Sequence, residues 1–399
     1  MTGLPVMEHD PADGLPLQVV GFGPDEVIEA TEAMVGTFVT MGKRVRRFEA
    51  DFASWVGCRH AVMVNSGSSA NLLLWTSLVA AGRLHPGDEV LVPAVGWSTT
   101  LFPVVQAGLC AVMVDVEPDT LCLDPQAAAR AVGPRTRAAF PVHLLGAAAR
   151  VQPLLDQGLL VAEDTCSGHG AARAGRRAGG LDVAGTFSFF FSHHITTVEG
   201  GIVVTDDDEL ADCMRSMRAH GWIRERSDAA VLAAAHPEVD PRFLFVAPGF
   251  NLRPTEMAAA FGLHQLPRLD GFVARRRANH RHWCRLIQGS GLPLRVFPEE
   301  GGTVHAGFAF PMQITPEAPY TRAELLGFLE DRRIATRPIS GSNLARQPAF
   351  AGLAPTRTPH HLPVADAVHE RGFFVGNSHA YGPGHGALLV EALKEFHHG

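Results

Sequence analysis

Between residues 58 and 205, short runs of β-branched and other apolar residues alternate with stretches whose apolar positions recur at helical spacing. Strands covered on both faces read as continuous apolar runs, so the alternation predicts an α/β fold with a mostly parallel sheet. Seven strands are placed at 60–65, 89–93, 111–116, 138–143, 159–163, 185–191 and 201–205. Helices are expected over 71–80 and from Pro24, which suits a first helical position with Asp25 and Glu26 in the first turn. From about Leu263 the pattern changes to a long Arg-rich helix over 268–285, then a few strands and helices ending near Phe396. The expected division is therefore 1–262, a large domain with an N-terminal arm, and 263–399, a smaller α+β domain.

Composition narrows the possibilities. The chain has 399 residues, 46% of them hydrophobic, and a net charge of −7 without a clustered basic face, which argues against nucleic acid or an anionic membrane as partner. Its N-terminal eighteen residues are acidic and lack an apolar core, and no apolar stretch is long enough for a bilayer, so a cytoplasmic protein is expected. Six cysteines, Cys58, Cys110, Cys122, Cys166, Cys213 and Cys284, form no close pair. That pattern fits single buried thiols better than a zinc or iron–sulfur site. Twenty histidines include His360-His361 and the segment from His379 to His385, but no HExxH pair, and no metal site is expected.

Gly21 and Gly23 resemble the start of a dinucleotide fingerprint, but Glu26 stands at the third glycine position and no strand–helix–strand unit follows. Ligands in parallel sheets gather at the carboxyl ends of strands, and three strand ends carry candidate chemistry. Asn65-Ser66-Gly67-Ser68-Ser69-Ala70 could cradle a phosphate at a helix N-terminus, or could be an ordinary helix cap. Trp97 could stack on an aromatic ring or belong to the core. Asp164 could pair with a ring cation or cap the next turn.

The run Phe189-Phe190-Phe191-Ser192-His193-His194-Ile195-Thr196-Thr197-Val198-Glu199-Gly200-Gly201 is similar to the segment where many pyridoxal-phosphate (PLP) enzymes carry their cofactor-binding lysine. Here histidine replaces the lysine, and histidine moves protons but cannot hold a cofactor as a Schiff base. The only lysines are Lys43 and Lys394. With SGSSA, VPAVGWSTT, AEDTCSGHGA, RAHGW, GFNLRPTEMAAAFG and RPISGSNLARQPAF, nearly the whole chain resembles the DegT/DnrJ/EryC1/StrS sugar aminotransferase family. Within that family the pattern is similar to the histidine-for-lysine branch of nucleotide-sugar 3-dehydratases.

The resemblance implies a fold-type I PLP-dependent transferase. It implies that Gly67, Ser68 and Ser192 hold the cofactor phosphate, Trp97 stacks on the ring, and Asp164 pairs with its nitrogen. Ser167 stands where the family often has Gln or Glu near the ring hydroxyl, and Asn251 would reach the phosphate of the neighbouring subunit in a homodimer with shared active sites. His193 registers with the lysine and would be the acid/base; if the backbone stays extended, His194 faces away. The implied reaction dehydrates a nucleotide-activated 4-keto-6-deoxyhexose at C3, using pyridoxamine phosphate (PMP) regenerated from glutamate. The scattered cysteines favour the redox-neutral branch over the reductive, iron–sulfur one. Two alternatives remain at this point: a PLP/PMP enzyme acting on another ketone or sugar, and a non-catalytic relative that binds cofactor or sugar nucleotide.

Overall fold

The computed structural model describes residues 8–19, 21–353 and 356–398. Its main sheet has the strand order His60–Val64, Gly201–Thr205, Ala184–Ser188, Leu160–Asp164, Thr136–Ala139, Glu89–Pro93, Cys110–Val114 and Thr356–Arg357. Every neighbouring pair is parallel except the two made by Gly201–Thr205, which runs against both flanking strands. The seven expected strands are present, and the two-residue edge strand Thr356–Arg357 is an addition from the C-terminal part of the chain.

Four of these strands are buried at every position, which explains their continuous apolar runs. Each Val or Leu so covered contributes about 1.5–3 kcal/mol. Below the sheet, Phe52 packs edge-on against Phe187 and Phe189 at centroid distances of 5.0 and 5.3 Å. The same helix, Lys43–Val56, also brings Phe48 to 5.3 Å from Phe189. This helix begins at Gly42, which has no side chain for a cap; the buried Glu256 carboxylate accepts from Gly42 N, Val45 N and Arg44 N at 2.8, 3.0 and 3.0 Å instead.

Helix Pro24–Val35 starts at the expected proline, with Gly23 N donating to Glu26 Oε2 at 2.9 Å. Val20, inside the glycine segment before it, and the first seven residues of the acidic N-terminal stretch lie outside the described residues. Toward the C-terminus, helix Leu269–Gln288 lies beside an antiparallel sheet ordered Leu294–Val296, Ala309–Ile314, Gly372–Gly376 and Thr336–Pro338. Among the described residues, no helix is long and apolar enough to cross a membrane.

Candidate active site

Parallel strands bring their carboxyl ends to one edge of the sheet, and the segments after Val64, Pro93, Asp164 and Ser188 meet there. Glu163 and Asp164 end the same strand but face opposite ways, as neighbours on a strand must. Glu163 is taken up by structure: it accepts from Gly179 N, Leu181 N and His143 Nε2 at 3.0, 2.8 and 2.9 Å. Asp164 is buried, with Oδ1 accepting from Cys166 N at 3.1 Å and Oδ2 accepting from Thr100 Oγ1 at 2.7 Å and Asn71 Nδ2 at 3.2 Å. The turn-capping bond is real, but it occupies only one oxygen.

The helix after the first strand is Gly67–Ala80, so it starts at Gly67 rather than Asn71. Ser66 caps it, its hydroxyl accepting from Ser69 N at 3.1 Å, which leaves the N–H groups of Gly67 and Ser68 without an acceptor inside the helix. Gly67 is required by close approach: a Cβ there would lie 2.5 Å from the Ser188 Cβ. Gly201 is required likewise, since its Cβ would lie 2.3 Å from Ser66 O. Ser68 Oγ donates to Thr99 Oγ1 at 3.0 Å, which brings this turn against the start of helix Ser98–Gln106. Trp97 immediately precedes that helix and is 61% exposed, so it is not a core residue and its ring has a free surface.

The segment read as strand to Phe191 ends as strand at Ser188. His193 N donates to Phe190 O at 2.9 Å, a tight turn that throws Phe190 and Phe191 outward. The separation of His193 from His194 therefore comes from a turn, not from the alternation of an extended strand. His194 is buried and donates from Nε2 to Ala306 O at 3.1 Å. His193 is half-buried, edge-on to Phe308 at 5.1 Å, and its Nδ1 is shut from solvent with no partner. Burial, aided by the charge of Arg276, pulls His193 down to about 3, which keeps its imidazole neutral near pH 7. His169, 6.4 Å from His193 by ring centroids, is fully buried with both nitrogens unpartnered and is held well below the ordinary histidine range by burial.

The remaining candidates are distributed around this centre. Ser192 lies within the Phe190–His193 turn. Ser167 Oγ donates to His143 O and accepts from Leu145 N, both at 3.1 Å, so its hydroxyl braces a neighbouring turn. Asn251 is exposed, with Oδ1 accepting from Arg253 Nε at 3.0 Å. Lys43 and Lys394 are exposed on helices Lys43–Val56 and Pro383–His398. A cavity of about 450 Å³ bounded by Val114, Arg130 and His360 includes none of these site residues.

Sequence reasoning missed Thr100, Asn71 and Arg276. Thr100 and Asn71 each lie one turn past a recognised site residue, Trp97 and Gly67 respectively, a spacing that could have flagged them. Arg276 sits on the buried stripe of helix Leu269–Gln288 and donates to Phe308 O, Asn377 O and Gln18 Oε1, with no carboxylate partner among the described residues. A charged residue in phase with Leu269, Phe272 and Trp283 was the available signal.

Fold and site together define a PLP-class enzyme of the aminotransferase architecture. The chain belongs to the DegT/DnrJ/EryC1/StrS aminotransferase family, whose sequence profile matches residues 22–393. It is 38% identical over 349 residues to GDP-4-keto-6-deoxy-D-mannose 3-dehydratase of Yersinia pseudotuberculosis, covering 85% of this chain and 87% of that protein. It is 38% identical over 395 residues to dTDP-4-dehydro-2,6-dideoxy-D-glucose 3-dehydratase of Saccharopolyspora spinosa, covering 93% and 84%. The solved structure of a GDP-4-keto-6-deoxymannose-3-dehydratase with a trapped PLP-glutamate geminal diamine superposes with a TM-score of 0.86 at 31% identity, covering 96% of this chain and all of that one.

Proposed function

We propose that this protein is a PLP/PMP-dependent 3-dehydratase of nucleotide-activated 4-keto-6-deoxyhexoses. The observation that carries the reading is His193: a histidine whose Nδ1 has no hydrogen-bond partner stands at the site edge, in a chain whose two lysines are both exposed on other elements. The residues fit the cofactor. The N–H groups of Gly67 and Ser68 at a helix start have no acceptor inside the helix, Trp97 has an exposed ring, and Asp164 is a buried carboxylate at a strand end.

Bound as PMP, the cofactor would supply a primary amine and an electron-accepting ring. Gly67, Ser68 and Ser192 would hold its phosphate, Trp97 would stack on its ring, Asp164 would pair with the ring nitrogen, and Ser167 would stand near the ring hydroxyl. His193 would move the protons of the reaction, accepting one at a ring nitrogen and returning one to the departing C3 hydroxyl of the substrate. Because histidine cannot form the competing Schiff base, transamination of the sugar is suppressed, and glutamate serves only to restore PMP.

Asn251 acts in the neighbouring site of a homodimer. Helix Pro24–Val35 leaves Val27, Ile28, Met34 and Val35 exposed and is followed by exposed Phe38, an apolar face suited to a second copy. All six cysteines are free thiols, which suits the cytoplasm. The test is incubation with GDP-, CDP- and TDP-4-keto-6-deoxyhexoses plus glutamate, scored by mass for loss of water. Turnover with at least one substrate, requiring glutamate or PMP but neither iron nor a reductase, is expected; dependence on an electron donor would sink the redox-neutral reading.

A further inference from the structure

Asp164 is gripped by side chains from two helices that also carry other parts of the site. Thr100 lies in the first turn of helix Ser98–Gln106, directly after Trp97, and Asn71 lies one turn past Gly67 on helix Gly67–Ala80. Both are buried, at 2% and 1% exposure. The Thr100 hydroxyl gives its only proton to Asp164 Oδ2 at 2.7 Å, and Asn71 Nδ2 reaches the same oxygen at 3.2 Å while also donating to Thr99 O at 2.9 Å. With Cys166 N on Oδ1 at 3.1 Å, three N–H or O–H donors and no acceptor face the carboxylate, beside the weaker Cys166 thiol.

A carboxylate has about four lone-pair sites, so three donors leave about one free. The three donors come from three different segments, and together they remove the freedom of Asp164 to rotate about its side-chain bonds. Neither contact is a helix cap: Ser66 caps one helix, and the other, with Trp97 at its N-cap position, has no side-chain cap. We propose that Thr100 and Asn71 are positioning residues for the reaction, fixing Asp164 so that its remaining lone pair meets the cofactor ring nitrogen. This rests on the assignment of Asp164 to that nitrogen.

The consequence is graded control of the ring. Each donor to Asp164 stabilises the carboxylate in its place opposite the pyridinium, and losing one weakens the hold on the ring proton. The experiment loads the protein with PLP isotopically labelled at its ring nitrogen and follows that nitrogen by NMR as pH is varied. Thr100→Val, nearly the same in shape, is expected to lower the proton affinity of the ring nitrogen by about tenfold or more while PLP still binds. Thr100→Ser should restore the parent titration, and Asn71→Ala should shift it in the same direction as Thr100→Val.

Asp164→Asn separates the two levels of the argument. If Asp164→Asn loses the ring proton while Thr100→Val and Asn71→Ala titrate like the parent, the positioning proposal is overturned and the Asp164 assignment stands. If Asp164→Asn itself keeps the parent titration, the assignment fails and the proposal with it. Should Thr100→Val not fold, judged by circular dichroism, Thr100→Ala and Asn71→Ala carry the same reading.

Discussion

The imidazole of His194 donates from Nε2 to the carbonyl of Ala306 at 3.1 Å, tying the histidine turn to the segment that precedes strand Ala309–Ile314. His193, one residue earlier, has no such tie at Nδ1. The two rings are therefore held differently: His194 is anchored, and His193 keeps an unpartnered nitrogen for the proposed proton transfer. His193→Asn should abolish exchange of the cofactor C4′ proton and reduce turnover by ~10²–10⁴-fold while PLP binding persists. His194→Asn should cost about 1–3 kcal/mol in urea unfolding but lose far less activity. Normal turnover by His193→Asn would refute the assignment.

PLP should bind without a covalent link. Lys43 and Lys394 are exposed at the start of helix Lys43–Val56 and near the end of helix Pro383–His398. Borohydride reduction of the loaded protein, followed by peptide mapping, should find no stoichiometric pyridoxyl-lysine. His193→Lys should create one, with a shift toward transamination.

Stability should fall as pH drops from about 6.5 toward 4. Burial holds His193 and His379 at about 3 and His280 at about 4, whereas an unfolded chain protonates histidine near 6.5. Across that window the unfolded state binds more protons, so the stabilisation present above it is lost on acidification. Carboxylates such as Glu299, held at about 2 by Arg277, Arg281 and the His305 N–H despite its burial, add their loss lower on the scale. Urea midpoints of the apo-protein measured from pH 7 to about 4.5 should decline, and His280→Gln should flatten the decline. An unchanged slope in that variant would count against the burial argument.

A chain carrying Asn251→Ala, mixed with one carrying His193→Ala, should regain activity, because each heterodimer would contain one site with both residues intact. Verified heterodimers without activity would show that Asn251 does not serve its neighbour.

Much of this was legible because burial writes a strong pattern. Strands Glu89–Pro93 and Gly201–Thr205 fall on the apolar runs Val90-Leu91-Val92 and Ile202-Val203-Val204, since every position in them is covered. The pattern misled at Phe189-Phe190-Phe191, where three aromatics read as one strand but only the first is buried; the others are 36% and 51% exposed on a turn. A strand of two residues, Thr356–Arg357, carries no periodicity to read. At the site, Asp164 was visible from its strand end, whereas Thr100 and Asn71 gain meaning only when two helices are brought beside it. Ser167 carries a contact no motif encodes, because its partners His143 and Leu145 are adjacent only in the folded chain.

The reversed strand Gly201–Thr205 has a consequence for how this scaffold acquires chemistry. Pairing side by side with Ala184–Ser188, it makes residues 189–200 a hairpin connection secured at both ends, where a parallel successor would have demanded a crossover helix. The backbone at position 193 is thus set by flanking strands and by the neighbours Phe189 and His194, largely independent of the side chain carried there. Such a position can exchange an amine for an imidazole, and one reaction for another, while the architecture around it is inherited intact.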